Sequence, residues 1–211
     1  ILKKLPEALL LGIDRDADAL ARAEKALAFA DGRVRFAQSD FASVKTVAQA
    51  AGWDDGVDMI LLDLGVSSPQ IDDPQRGFSF RYEGPLDMRM DKRSELTASR
   101  VLNTYSEREL DRIFREYGEL RESRRLARAI VEERAKAPFE RTSEFARLCD
   151  SVLKRYLRKN APPAPTLCFQ ALRIEVNDEL GQLERALEED FDLFILDLML
   201  PDMDGFDICR E

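Results

Sequence analysis

Three times within the first 63 residues a short apolar run ends at or near an aspartate. The run at 9–13 stops at Asp14, that at 34–37 leads to Asp40 and Phe41, and that at 57–62 stops at Asp63. Runs of this length and continuity suit parallel strands covered on both faces. Between the first two lies an Ala-rich stretch, 17–29, that reads as a helix. Strands alternating with helices predict a doubly wound α/β sheet. Such sheets bind ligands beyond the C-terminal ends of their strands, where Asp14, Phe41 and Asp63 are expected to cluster. Each has a plainer reading as well: Asp14 as a helix cap, Phe41 as a core residue. The stretch 63–70, DLGVSSPQ, brings Gly65, Ser67, Ser68 and Gln70 to a strand end. That is more polarity than a connecting loop needs, and site and structure are evenly matched there.

From about residue 72 the pattern changes. DDPQRGFSFRYEGPLDMRMD is rich in Gly and Pro and reads as a long ordered loop. Helical stretches follow at about 106–117, 121–136 and 142–158. Ser106 with Glu109 makes a capping box for the first, and Thr142 or Ser143 is a candidate cap for the third. NAPPAPT reads as a linker, and one further long helix is expected after it. The predicted organisation is a sheet domain formed by 1–71 and 166–211, with a helical insertion at 72–165.

The net charge of −9 argues against a uniformly basic coat for nucleic acid. Residues 91–160 nevertheless hold 18 Lys and Arg against 13 Asp and Glu, leaving 14 against 28 elsewhere. A basic middle on an acidic body is compatible with RNA contact through that segment, or with an ordinary solvated helical surface. The absence of histidine excludes His-based catalysis. The three cysteines have no metal spacing and fit a reducing, cytoplasmic setting. No apolar run is long enough for a membrane span.

Three stretches, LLGIDRDADAL, ILLDLGVSSPQIDDPQRGFSFRYEGPLDMRMD and FQALRIEVNDELGQLERAL, closely resemble the MraW-type methyltransferases over about residues 5–187. That family uses S-adenosylmethionine to methylate the N4 amino group of a cytidine in 16S ribosomal RNA of the small subunit. The resemblance implies a class I methyltransferase sheet with a helical insertion that recognises RNA. It implies that Asp14 holds the cofactor ribose, that Phe41 lies by the adenine, and that Asp63 and Gln70 complete the pocket. An exocyclic ring amine is a poor nucleophile, so acceptors for its protons are needed. Ser67, Ser68 and the carbonyls around Pro69 are candidates, and the choice among them is open. The target base has to be unpaired or flipped to be reached.

The sequence departs from the family pattern in three places. A Gly-rich loop that wraps the methionine end of the cofactor belongs ahead of Ile1, so a chain lacking it is expected to have weakened or lost activity. Pro163–Thr166 stands where the family has a histidine-containing stretch. After Leu187, FDLFILDLMLPDMDGFDICRE resembles the third strand and loop of a response-regulator receiver domain. That resemblance implies a phosphoacceptor role for Asp197. The alternative to an enzyme is therefore a catalytically inactive α/β scaffold combining methyltransferase and receiver fragments.

Overall fold

The computed structural model describes residues 2–30, 32–153, 162–188 and the backbone of 195–196. The chain forms two compact units, one of residues 1–64 with 179–211 and one of residues 65–178.

The first unit holds the strand–helix pattern. Strand β1 (Leu10–Asp14) runs into helix α1 (Ala17–Leu27), and strand β2 (Val34–Gln38) leads to a single 3-10 turn (Phe41–Ser43) and helix α2 (Val44–Ala50). The two strands pair in parallel, with Gly12 opposite Phe36 and Asp14 opposite Gln38. Helix α1 packs on this pair. Its start is fixed by Asp16, which is buried and accepts the Asp18 amide at 3.0 Å.

A second parallel pair joins β3 (Leu61–Leu62) to β4 (Ile195–Leu196). The apolar run at 57–62 is thus mostly not strand, and it is not buried throughout: Val57, Met59 and Leu61 are exposed, Leu61 at 62%. Apolar continuity reads like two-faced burial, but a side chain is covered only where a neighbouring layer lies over it. Among the described residues no ladder joins the two pairs. What the structure establishes is a mixed α/β chain with small parallel pairs.

The second unit is helical. Short helix α3 (Ser68–Asp72) leads into the Gly- and Pro-rich loop, followed by α4 (Ala98–Thr104), α5 (Glu107–Glu116), α6 (Ser123–Arg134), α7 (Thr142–Leu153) and α8 (Ala164–Asn177). The capping box at the start of α5 is present: the Ser106 amide donates to Glu109 at 2.7 Å, and the Glu109 amide donates to the Ser106 hydroxyl at 3.3 Å. Arg128 lies 3.9 Å from Glu107, while Ser123 donates to Asp111 at 2.6 Å, so α5 and α6 run antiparallel. Leu110, Ile113, Phe114, Leu126, Ile130, Phe145 and Leu172 are among the fully enclosed side chains of its core.

Three expectations need correction here. Thr142 does not cap α7. Its hydroxyl accepts the Gly84 amide and donates to the Tyr82 carbonyl, both at 3.0 Å, while Glu144 accepts the amides of Glu140 and Arg141. Residues 164–166 are helix rather than linker, because Pro165 in the first turn gives up an amide that has no intrahelical partner. The single long helix after it is broken, with α8 ending at Asn177 and α9 (Glu179–Leu187) beginning two residues on. Asp178 between them is left-handed, with φ 50°. The unit boundary falls at this joint and at 64/65, so α8 lies in the helical unit.

The loop 73–97 is ordered by close backbone packing. Gly77 is left-handed, and a Cβ there would overlap the Pro85 carbonyl. A Cβ on Gly84 would overlap the Pro74 carbonyl. The two loop limbs thus cross with no room for a side chain. Asp87 and Arg89 form a bidentate pair at 2.8 and 2.7 Å, and Arg89 also donates to the carbonyls of Lys92 and Ser94. Burial pushes the Asp87 carboxyl up, but the hydrogen bonds and charge of Arg89 outweigh it and hold the group below the ordinary carboxylate value. A depressed value means the charged form favours the folded state. That stability is complete above the unfolded carboxylate range, about pH 4, and is lost as pH falls through the folded value. Asp87→Asn is therefore expected to unfold at lower urea than the native chain at pH 7, with the gap narrowing toward pH 3. A gap independent of pH would show that the pair does not carry this stability.

Candidate strand-end site

The first unit brings two of the four expected cofactor residues to one place. β1 and β2 are in register to their last residues, and the Ser39 amide donates to the Asp14 carbonyl at 3.2 Å. Asp14 and the turn carrying Phe41 therefore sit at the C-terminal ends of adjacent strands. The Asp14 carboxylate is exposed at its tip and accepts the Asp16 amide at 2.7 Å. Partial loss of water against the strand end raises its pKa, reinforced by the neighbouring Asp16 charge and opposed by the Asp16 amide. Phe41 is half-buried. Its turn is held by Asp40, which accepts the Ser43 amide at 2.9 Å and the Ser43 hydroxyl at 2.7 Å. Helix α9 packs against the same turn, burying Leu183 and Ala186.

Asp63 is exposed and follows β3 directly, so it too stands at a strand end, but of the separate β3–β4 pair. Gln70 belongs to the other unit and has a structural role there. Its side-chain oxygen accepts the Ser67 amide at 2.9 Å in a capping box, and it is 5% exposed. The serine-to-glutamine spacing of three is itself a capping signature, and it was legible in SSPQ. Ser68 and Pro69 are exposed on the first turn of α3. Asp197 lies outside the described residues.

One feature was not anticipated from the sequence. Asn177, buried at the end of α8, donates to the Met88 carbonyl at 2.8 Å and accepts the Met90 amide at 2.8 Å. It clamps a loop segment in which Met88 is left-handed, φ 63°. Nothing local in IEVND announces a partner 87 residues away.

The chain is a mixed α/β protein with parallel strand pairs, in which β1 ends on Asp14 and β2 and β3 end just ahead of Asp40 and Asp63. The chain belongs to the MraW methylase family, whose sequence model matches residues 1–200. It is 49% identical over 190 residues to the ribosomal RNA small subunit methyltransferase H of Methylococcus capsulatus, covering 90% of this chain and 62% of that protein. To the protein of the same name from Carboxydothermus hydrogenoformans it is 48% identical over 187 residues, 89% of this chain and 59% of the relative. The chain thus spans about three-fifths of the length of these curated relatives. No helix among the described residues is long and apolar enough to cross a membrane.

Proposed function

We propose that this chain carries the cofactor-binding and RNA-contacting parts of an S-adenosylmethionine-dependent methyltransferase that modifies the N4 amino group of a cytidine in 16S ribosomal RNA, in the cytoplasm. The observation that carries this reading is the 49% identity to a relative named for methylating small-subunit ribosomal RNA. The two parallel pairs are read as parts of one doubly wound sheet, and residues 65–178 as an inserted RNA-recognising domain.

The residues at the β1–β2 end fit the cofactor. An exposed carboxylate at a strand tip is the acceptor that ribose hydroxyls require, and a half-exposed aromatic ring beside it offers a face to an adenine. Asp14 would hold the ribose and Phe41 the adenine, with Asp63 contributing from the next strand end. Gln70, in the helical unit, fixes the start of α3 through its cap. When bound, S-adenosylmethionine supplies an electrophilic methyl group. The chain's own part is to orient the base and to accept a proton from its amine. In the helical unit, Ser67, Ser68 and the carbonyls around Pro69, at the exposed start of α3, are the candidate acceptors.

Asp14→Ala is expected to weaken S-adenosylmethionine binding by about 1–3 kcal/mol, roughly 5- to 150-fold in dissociation constant. Isothermal titration of both proteins checks it. An unchanged constant in a folded variant would remove the ribose from Asp14.

A further inference from the structure

Helix α6 departs from what helix stability favours. Its N-cap is an acid, Glu122, but its first turn has none, although acids near a helix start and cations near its end are the stabilising arrangement. Instead Arg124, Arg125 and Arg128 crowd its first two turns, with Arg121 in the turn just before. All four are exposed. Arg121 with Arg125, and Arg124 with Arg128, are four residues apart, which within a helix sets like charges side by side at a small cost. Arg128 reaches Glu107 only at 3.9 Å, and Arg121 and Arg124 make no ion pair among the described residues. The acid best placed between α5 and α6, Asp111, is already taken by Arg115 and Ser123.

We propose that this arginine face, Arg121, Arg124, Arg125 and Arg128, docks the phosphodiester backbone of the RNA substrate. The proposal rests on the function given above and adds where the RNA is held. Four guanidinium groups spread over about 10 Å of helix match several successive phosphates of one strand, and the guanidinium fork suits phosphate oxygens. On a chain of net charge −9 the face is a local exception, positive where the rest repels nucleic acid. No large apolar side chain of α6 is exposed beside it, so it lacks the wedge with which a membrane-lying helix inserts.

The test compares the native chain, Arg121→Ala/Arg124→Ala/Arg128→Ala, and a control that removes Arg93 and Arg100, exposed arginines elsewhere on the same unit. Binding of a 16S-derived RNA oligonucleotide is measured from 50 to 200 mM salt, alongside S-adenosylmethionine titration. The triple variant is expected to lose at least tenfold in RNA affinity at low salt. Its salt slope should shrink by about 2 to 3, roughly 0.7–0.9 per phosphate contact. The control should change less than threefold, and cofactor binding should be unchanged in all three. Equal losses in control and triple variant, an unaltered slope, or no RNA binding by the native chain would overturn the docking face. So would binding to anionic phosphatidylserine vesicles with none to RNA. Failure of cofactor binding in the native chain, with the arginine effect intact, would instead sink the methyltransferase reading and leave the RNA face standing.

Discussion

Phe145→Ala is expected to destabilise the helical unit by about 3–5 kcal/mol, the range for deleting a large enclosed aromatic. Phe145 is fully buried in α7 and touches three other rings: Phe169 at 5.7 Å, Phe114 at 6.0 Å and Phe139 at 6.2 Å between centroids. Those partners come from α8, from α5 and from the connection before α7. Truncation therefore opens a void bordered by several elements at once, and no single neighbour can move in to fill it. Phe145→Leu, which keeps most of the volume, should cost clearly less, on the order of 1–1.5 kcal/mol. Urea unfolding of the full chain measures both. A loss below 1 kcal/mol for the alanine variant would mean that the ring cluster collapses around the gap.

Asn177→Leu is the second large effect, about 3 kcal/mol. The leucine fills similar space but leaves the Met90 amide and the Met88 carbonyl without the partners they have at 2.8 Å, and each unpaired buried group costs about 1–3 kcal/mol. The loss should be local in character. Met88 sits in a left-handed conformation that a bulky side chain does not favour, so removing the clamp frees it to relax. Hydrogen exchange at the Met90 amide is expected to accelerate well beyond the change in global stability. If that amide stays as protected as in the native chain, the clamp is not what orders the loop.

These two residues also mark the border of what the sequence could tell. The strand ends at Asp14 and the Ser106–Glu109 capping box were legible because their causes lie within a few residues of each other. The break at Asp178 was not, since periodicity runs unbroken through LRIEVNDELGQL, and the helix stops where Asn177 is drawn into bonds with residues 88 and 90. The exposure of Leu61 was misjudged because composition does not reveal which faces of a strand acquire a neighbour. Gln70 was read as a pocket residue by resemblance, while its capping role, which the three-residue spacing from Ser67 signals, was passed over. The structure gives it the second role directly.

The crossing of the loop limbs at Gly77 and Gly84 has a consequence for redesign. Two backbones that touch cannot be re-lettered, so these positions act as fixed hinge pins around which the segment between them is hung. Arg81, Tyr82 and Glu83, within that segment, point their side chains to solvent. The fold thus separates a part of the loop that holds its shape from an exposed part at Arg81 and Tyr82, while Glu83 is tied to Arg141 at 3.3 Å. Arg81 and Tyr82 can be exchanged without disturbing the core.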